Sequence, residues 1–382
     1  MGATFTAERA VSRGMTSFVV VDESFKMHAE ACAYLASLRA LDRSINTERI
    51  YAGRLANFLN HCDDSGLDWR RITIDDLRRY MNRLVEHPIS RELISGEITY
   101  TFRSNKTANA ILGTACEFLR YGAARDWVRA DLVADMSRLR ILHWPVHGHG
   151  YGEELQFSTI RARTLKLKEI EMAPPVFSDD QLMSVVSAVS TPRDRFLILV
   201  LAFTGIRIGE ALGLRREDMH LLQNNGQLDC SQSGPHLHVR RRDNANGALA
   251  KSRRHRTIPV DERLIDAYAD YQYERANRLG EVDDSDFVLV NMFRPPLGAP
   301  ACYHNVKKMF ERTASRVGFP VRPHMFRHTA ATRWLENGTP RDVVRALLGH
   351  ASDRSMDVYS HATDGAKRAA VEGAFASMKG DV

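Results

Sequence analysis

At 382 residues the chain exceeds a typical single domain and is long enough for two, because single hydrophobic cores seldom grow beyond about 250 residues. A hydrophobic fraction of 44% and a charged fraction of 26% are close to globular averages, which excludes a mainly disordered chain. The formal net charge of +6 at pH 7 is compatible with a nucleic-acid partner but does not establish one.

Cysteine usage and hydropathy bear on the cellular compartment. The cysteines are widely scattered and odd in number: Cys32, Cys62, Cys116, Cys230 and Cys302. This pattern argues against a disulfide framework and against a cysteine-based zinc site, and it fits a reducing cytoplasm. No apolar stretch approaches the roughly 18 residues that span a bilayer, and the N-terminus lacks the layout of a signal peptide. The sequence therefore predicts a cytoplasmic protein without a membrane partner.

The first part of the chain predicts a helical domain over residues 27–145. Residues 1–26 show no convincing periodicity and are interpreted as a tail. Apolar residues then recur at helical spacing in successive segments, the first of which reads as a helix from Phe25 to Leu41. The next segment has its apolar face on Ile45, Tyr51, Leu55, Phe58 and Leu59. We expect a bundle of about four or five helices.

Residues 146–175 break the helical regularity and predict an interdomain linker. The segment opens on the run PVHGHGYGEE and closes on a pair of prolines. The histidines in and just before this segment lack a matching carboxylate pattern, so we predict no metal site at His143, His147 or His149. Three of the four tryptophans are interpreted as core or hinge anchors and not as base-stacking platforms: Trp69, Trp144 and Trp334.

Residues 176–382 predict a second domain that is mainly α with a small antiparallel β element. Ser178 and Gln181 form a capping-box pattern that opens its first helix. An apolar helix, the turn TGIR and another helix follow, and HLHVRRR and RTIPV then predict two short strands joined by a turn. Helical patterning resumes at DERLIDAYADYQYERANRL, pauses at the strand-like DFVLVN, and continues from Tyr303 almost to the C-terminus.

Several residues of this domain suit phosphate chemistry, although each is a weak signal alone. Arg207 follows a glycine turn at a helix start, where it either addresses an anion or, as is commoner for such a motif, pairs with Glu210. His324 and Arg327 are three residues apart on one predicted helical face. His350 follows the helix-ending glycine of LLGHAS, and a tyrosine shortly after it is by itself more often a packing residue.

Taken together, six residues resemble in order and spacing the active-site set of the tyrosine recombinase, or phage integrase, family. They are Arg207, Lys251, His324, Arg327, His350 and Tyr359. The segments TGIRIGEALGL, HMFRHTAAT and LLGHAS look like the family's sequence boxes, and Lys251 precedes Pro259 where the family's strand-turn-strand lysine falls. The resemblance covers residues 176–378 in motif detail. Over residues 27–145 it extends only to a helical layout similar to the family's SAM-like core-binding domain.

The resemblance implies phosphoryl transfer with a tyrosine nucleophile, no cofactor, no metal and no ATP. Because negative charge repels a nucleophile from a phosphodiester, the two arginines would present their donors to the non-bridging oxygens. Tyr359 would attack to form a covalent 3′-phosphotyrosine, and Lys251 would protonate the leaving 5′ oxygen. His324 and His350 would add hydrogen bonds near the phosphate, with His324 also a candidate to help deprotonate Tyr359.

A basic run around Lys251 suggests phosphate contacts with double-stranded DNA, the alternative being a merely solvated face. The candidate DNA-binding residues are Arg240, Arg241, Arg242, Arg253, Arg254 and Arg256. The resemblance further implies a C-shaped clamp around the duplex, association with the nucleoid, and a tetramer at synapsis in which the C-terminal helix docks on a neighbouring subunit. Packing of that helix within its own domain is the alternative. Accessory recombination factors are further candidate partners.

The sequence thus predicts a site-specific recombinase that integrates, excises or transposes a mobile element. A type IB topoisomerase, which uses similar arginine, lysine, histidine and tyrosine chemistry, is one alternative. A DNA-binding protein with an inactive site is another, although the complete set of six residues argues against it. Only about 25 residues precede the first predicted helix, too few for the arm-binding domain of elaborate phage integrases, so a simpler recombinase or a transposon-encoded relative is favoured.

Overall fold

The computed structural model describes residues 4–12, 14–41, 43–94, 97–141, 159–169, 173–242, 244–248 and 255–349. The chain divides into two compact units, Met1–Glu171 and Met172–Val382. Helices predominate and are accompanied by short antiparallel strands, which confirms the predicted fold class, mainly α with a small antiparallel β element. Among the residues that the structure describes, no helix combines the length and the apolar character needed to cross a membrane.

Within its described residues, the first unit contains five helices, a number inside the predicted range. They are α1 (Ala29–Ala40), α2 (Ile45–Asp64), α3 (Ile74–Glu86), α4 (Asn105–Ala123) and α5 (Ala130–Asp135). Hydroxyl side chains begin three of them, because Ser44, Thr73 and Ser104 each accept a hydrogen bond from a backbone N–H of the first turn. Trp69 is buried in the core between the helices, in agreement with its interpretation as a packing residue.

The structure replaces the tail predicted for residues 1–26 with a β-hairpin. Strands β1 (Thr6–Ser12) and β2 (Met15–Val21) pair antiparallel around Gly14, whose φ of 77° suits the turn. The hairpin packs on α2, since the backbone N–H of Phe18 donates to the Glu48 carboxylate at 2.8 Å and Val20 is fully buried. These contacts stabilise two strands whose sequence lacks a clear apolar alternation.

Part of the segment predicted as linker belongs to the first unit. Strands β3 (Ser90–Ile94) and β4 (Glu97–Thr101) pair with each other between α3 and α4. After α5, strand β5 (Ser137–Ile141) pairs with β6 (Thr159–Arg163), and β6 lies within the predicted linker.

The residues after β6 are held to the helical bundle by an amide side chain. Asn109 on α4 donates from Nδ2 to the Leu167 carbonyl and accepts from the Leu167 N–H, both at 2.9 Å. Because one amide satisfies a backbone acceptor and a backbone donor at once, this stretch cannot act as a free linker. The three linker histidines and Trp144 lie in the interval 142–158, outside the described residues.

The described part of the second unit contains seven helices and a three-stranded sheet. The helices are α6 (Asp179–Ala188), α7 (Pro192–Thr204), α8 (Ile208–Leu212), α9 (Glu262–Leu279), α10 (Tyr303–Val317), α11 (Pro323–Glu336) and α12 (Arg341–Leu348). The antiparallel sheet has the order β7 (Met219–His220), β8 (His236–Val239), β9 (Arg256–Pro259). Helix α6 begins with the predicted capping box, in which Ser178 and Gln181 each accept from the other's backbone N–H.

The segment DFVLVN does not form the predicted strand. It makes only isolated bridges, one of them between Arg215 and Phe287. The side chains of Tyr271 and Arg275 on α9 donate instead to the Val288 carbonyl, at 2.9 and 3.0 Å. Side chains of α9 thus supply hydrogen-bond donors that a neighbouring strand would otherwise supply. The segment is therefore buried without continuous pairing to another strand.

Candidate active site

Arg207 stands at the turn between α7 and α8, where the motif TGIR predicted it. Helix α7 ends at Gly205, whose φ is 59°, and a Cβ there would lie 3.2 Å from Ala330 Cβ and from Leu348 Cδ2. The Arg207 N–H donates to the Glu210 carboxylate at 2.9 Å, and its Nη1 donates to the same carboxylate at 3.2 Å. The Arg207 side chain is 20% exposed, so part of it stays open to an incoming anion.

Arg327 on α11 connects this turn to the end of α12. Its Nη1 donates to the Gly205 carbonyl at 2.8 Å, and its Nη2 donates to the Leu348 carbonyl at 2.7 Å. Leu348 is the last residue of α12, where backbone carbonyls have no partner inside the helix. Arg327 is almost completely buried, so both bonds are shielded from water. One side chain therefore fixes the ends of α7 and α12 relative to each other.

A buried ion pair between Glu210 and Arg256 joins the same elements to the sheet. Arg256, at the start of β9, donates from Nη2 to Glu210 Oε2 at 2.7 Å and from Nε to the Leu347 carbonyl at 2.8 Å. Burial raises the pKa of the Glu210 carboxyl. The hydrogen bond and charge of Arg256, together with Arg207, outweigh burial and hold that pKa below the ordinary glutamate value. The charged carboxylate therefore orients two arginines.

Gly349, the residue that follows α12, lies in close contact with Arg256. Gly349 has a φ of 64°, and a Cβ on it would lie 2.8 Å from Arg256 Nη1. Both the backbone conformation and the space therefore require glycine. The network of Arg207, Glu210, Arg256 and Arg327, termed here the arginine clamp, thus sets the point from which the chain continues to residue 350.

Half of the predicted catalytic residues fall within the described part of the chain. Those outside it are Lys251, His350 and Tyr359. His324 lies in the first turn of α11 and is exposed, whereas Arg327 on the same helix is buried. The neighbouring His328 is neutral near pH 7, because burial, followed by the charges of His324 and Arg327, lowers its pKa to about 4. The structure brings Arg207 and Arg327 together, because Arg327 donates a hydrogen bond to Gly205, two residues before Arg207.

The predicted basic run is partly neutralised by carboxylates. Arg242 Nη1 donates to Asp218 at 2.7 Å, and Arg240 Nη1 lies 3.7 Å from Glu217. Arg241 is exposed. These pairs leave the run less positive than its sequence indicates.

Arg256 was predicted to contact DNA, but its side chain is only 8% exposed and is bonded within the arginine clamp, which argues against a phosphate contact. Its neighbours Arg253 and Arg254 lie outside the described residues. The sequence interpretation therefore missed that Arg256 is a positioning residue, and it included the pair of Glu210 with Arg207 only as an alternative to anion binding. For Glu210 the signal was present, since a glutamate three residues after a helix start is a capping-box position.

We expect Glu210→Gln to destabilise the second unit by about 3–5 kcal/mol, because it leaves the buried Arg256 charge without a counter-charge. Urea unfolding of the variant and of the wild type measures the difference in free energy. The difference should be present above the ordinary glutamate pKa and should vanish as pH falls through the lowered pKa of folded Glu210.

Glu217→Gln is the matched control, since this carboxylate pairs with Arg240 and Arg242 but is 64% exposed. Its effect should stay within about 1 kcal/mol. Equal effects of the two substitutions would show that the Glu210 pair does not hold the site together.

Within the described residues, one group of histidine, cysteine and acidic side chains lies close enough to share a metal ion. It consists of His220, Cys230, His236 and His238 and contains none of the predicted catalytic residues.

Comparison with known proteins places the second unit in a family. A sequence model of the Phage integrase family matches residues 176–365, which include all six predicted catalytic positions. Transposase A from transposon Tn554 of Staphylococcus aureus is 25% identical over 356 residues, covering 91% of each chain. The tyrosine recombinase XerC of Listeria monocytogenes is 26% identical over 345 residues, covering 88% of this chain and 93% of that protein.

Solved structures show the same fold over most of the chain. The Tn1549 transposon integrase, determined in complex with circular intermediate DNA, has a TM-score of 0.59 at 18% identity and covers 90% of this chain and 98% of that one. The XerH site-specific recombinase bound to its difH substrate has a TM-score of 0.51 at 17% identity, covering 86% and 81%. With the family match and the relatives' extensive coverage, the chain belongs to the phage integrase family of tyrosine recombinases.

Proposed function

We propose that this chain is a site-specific DNA recombinase that cleaves and rejoins strands through a 3′-phosphotyrosine intermediate, for integration, excision or transposition of a mobile element. The observation that supports it most is the arginine clamp, in which Arg207 is oriented by the buried Glu210 carboxylate and Arg327 donates a buried hydrogen bond to Gly205, two residues before Arg207. Fixed guanidinium groups stabilise a phosphoryl transition state without reorganising during the reaction.

The two arginines have different parts in this proposal. Arg207, partly open to solvent and oriented by Glu210, presents its planar fork to the non-bridging oxygens of the scissile phosphate. Arg327 adds positive charge behind the Gly205 turn, and its bond to Leu348 ties that charge to the chain segment leading to His350. Movement of that segment would therefore shift the Arg327 guanidinium relative to the scissile phosphate.

Tyr359, Lys251, His324 and His350 complete the chemistry. His324, the candidate base, accepts the proton of the Tyr359 hydroxyl as the Tyr359 oxygen attacks phosphorus. The bond from phosphorus to the 5′ oxygen breaks, and Lys251 supplies the proton that the leaving oxygen needs. His324 and His350 donate hydrogen bonds to the phosphate. Because the phosphotyrosine conserves the energy of the broken bond, the reverse attack of a 5′-hydroxyl rejoins DNA without ATP, and the arginines take the electrostatic role of a catalytic metal.

Double-stranded DNA is the proposed partner. Two of the structurally similar recombinases were determined as DNA complexes, and the chain carries exposed Arg241 next to the sheet. We retain Arg253 and Arg254 as proposed phosphate contacts alongside Arg241, and we propose a tetramer that assembles through the C-terminal helix. We also propose a cytoplasmic location at the nucleoid, where a DNA substrate is found, and accessory recombination factors as further partners.

The decisive assay for this function compares plasmids with one and with two copies of the DNA ends that flank the gene. A recombinase yields deletion or inversion products from the two-site plasmid. A type IB topoisomerase, the alternative that the shared active-site chemistry keeps open, relaxes either supercoiled plasmid equally and yields no rearranged product. An inactive DNA-binding protein retards the DNA in gels and produces neither.

Lys251→Ala is expected to cleave ordinary DNA slowly and to recover most of its rate on DNA with sulfur in place of the bridging 5′ oxygen, because a thiolate leaves without a proton. Single-turnover cleavage of the two substrates measures the rescue. Arg207→Ala is the control, since loss of phosphate charge neutralisation should slow both substrates. Equal slowing of Lys251→Ala on both substrates would remove Lys251 as the general acid.

Residues 364–382, which lie outside the described residues, carry apolar residues at helical spacing: Ala366, Ala370, Val371, Ala374, Phe375 and Met378. Deletion of this segment is expected to weaken cooperative assembly on two sites while leaving single-site binding intact, because these apolar residues are proposed to dock on a neighbouring subunit. Gel retardation with one-site and two-site DNA separates the two effects. A truncated protein that still assembles cooperatively and recombines would show that the helix packs within its own subunit.

A further inference from the structure

Three histidines and a cysteine converge beside the sheet of the second unit. His220 ends β7 and pairs in register with His236 at the start of β8, so both strands contribute to the cluster. His236 and His238 lie two residues apart on β8, a spacing that directs both side chains to one face of a strand. Cys230 comes from the connection between β7 and β8. Each offers one ligand atom, and these atoms all lie within 4.8 Å of one another.

The distances in the cluster fit the edges of a metal-centred tetrahedron. The Nε2 atoms of His236 and His238 are 3.2 Å apart, and Cys230 Sγ lies 3.4 and 3.6 Å from them. Zinc bonds of about 2.3 Å to sulfur and about 2.05 Å to nitrogen give tetrahedral edges of about 3.6 and about 3.3 Å. Three of the four side chains therefore already have the spacing of zinc ligands. His220 needs only a small adjustment to join them.

The outer hydrogen bonds of the histidines leave the inward nitrogens available. His236 Nδ1 donates to the Gly234 carbonyl at 2.8 Å, which leaves a lone pair on Nε2, the atom that faces the cluster. His220 Nε2 donates to the Glu217 carbonyl at 3.2 Å, and its Nδ1 is buried without a hydrogen-bond partner. Histidine ligands of metals usually donate their other ring N–H to a backbone carbonyl or a carboxylate in this way.

We propose that His220, Cys230, His236 and His238 form a four-coordinate structural zinc site. One thiolate and three imidazoles are borderline-soft ligands suited to Zn²⁺, whereas magnesium and calcium require oxygen ligands. Four protein ligands leave no coordination position for water or substrate, so the ion has a structural role and no part in strand cleavage. Zinc would also bind the buried His220 Nδ1, which has no hydrogen-bond partner and otherwise lowers the stability of the folded protein.

The ion would fasten the connection between β7 and β8 to the sheet. This connection is already closed on itself by Asn225, whose Nδ2 donates to the carbonyls of Leu222 and Gly234 at 2.9 and 3.0 Å. The Cys230 N–H also donates to the Asn225 carbonyl, at 3.3 Å, which places the thiol next to β8. Because β8 pairs with β9, the strand that begins with Arg256, zinc would stabilise the support of the arginine clamp.

The first test is the metal content of the full-length protein, purified without a histidine tag and without added metal. We expect about one zinc ion per chain by elemental mass spectrometry. Chelation should lower the melting temperature, and stoichiometric zinc, but not magnesium, should restore it. Replacement by cobalt should give the visible bands of tetrahedral Co²⁺ and a thiolate charge-transfer band in the near ultraviolet.

The variants Cys230→Ser and His238→Ala test the ligands individually. Both should lose stoichiometric zinc, and the cobalt form of Cys230→Ser should lose the thiolate band. Cys302→Ser is the matched control, since Cys302 is a free, partly exposed cysteine of the same unit, and it should keep its zinc. If a variant fails to fold, chelation and reconstitution of the wild type give the answer alone.

Two results would overturn the proposal. One is wild-type protein that contains no zinc and gains no thermal stability when zinc is added, which would leave the cluster as a hydrogen-bonded network. The other is zinc or cobalt binding that persists unchanged in Cys230→Ser, with no thiolate band in the wild type, which would mark adventitious binding to surface histidines.

Discussion

Tyr359→Phe is expected to bind its DNA site with near-normal affinity and to form no covalent adduct, because the substitution removes only the phenolic oxygen that attacks phosphorus. The measurement uses a DNA substrate with a nick close to the cleavage site. After cleavage the short strand diffuses away, and the wild-type protein remains trapped on the DNA in a denaturing gel. The variant should show no trapped band while still retarding the intact substrate in a native gel.

Tyr273→Phe is the matched control, because Tyr273 is an exposed tyrosine of the same unit, 74% accessible, that has no place in the proposed chemistry. It should be trapped as efficiently as the wild type. A trapped band from Tyr359→Phe would reject Tyr359 as the nucleophile, whatever the behaviour of the control.

Arg207→Ala and Arg327→Ala are expected to slow single-turnover cleavage by at least about a hundredfold each, which corresponds to about 3 kcal/mol of transition-state stabilisation. Arg207→Lys should recover only part of the rate, because an ammonium keeps the charge and loses the bidentate fork. DNA affinity should change little. Arg263→Ala, at an exposed arginine paired with Asp261, is the control and should cleave normally.

Arg327→Ala differs from Arg207→Ala in its structural consequence. It leaves the buried carbonyls of Gly205 and Leu348 without their donor, so it should also lower the free energy of unfolding by about 1–3 kcal/mol per lost partner. Arg207→Ala should have a much smaller effect on stability, because its side chain is partly exposed. Near-normal cleavage by either variant would contradict the role proposed for that arginine.

The sequence predicted those parts of the fold that depend on local spacing. The helical segments, the capping box at Ser178 and the turn before Arg207 follow from periodicity and from glycine or hydroxyl residues at helix ends. The N-terminal hairpin did not follow, because its strands are stabilised by contacts with α2, for example between Phe18 and Glu48. The linker prediction failed over residues 159–169 for the same reason, since the Asn109 amide supplies its anchor from a distant helix.

The candidate site shows the same division between local and long-range information. The pairing of Arg207 with Glu210 was foreseen as an alternative, because the two residues are one helical turn apart. The joining of Glu210 to Arg256 depends on β9 lying beside α8, which no local pattern specifies.

The histidine and cysteine cluster was missed for a related reason. The scattered and odd-numbered cysteines argue in the sequence against a cysteine-based zinc site, whereas the cluster combines a single cysteine, Cys230, with histidines from two paired strands. The motif His236-x-His238 on a short strand was the available signal, and its meaning depends on the register that brings His220 opposite His236.

The most direct test of the central claim is to identify the atom through which the wild-type protein becomes attached to DNA. The complex trapped on nicked DNA is digested with protease and nuclease, and the linked peptide is sequenced by mass spectrometry. We predict a peptide containing Tyr359 with its phenolic oxygen joined to a 3′-phosphate, and a free 5′-hydroxyl on the released strand. Attachment at another residue, attachment to a 5′-phosphate, or the absence of any covalent complex on the element's own ends would contradict the account.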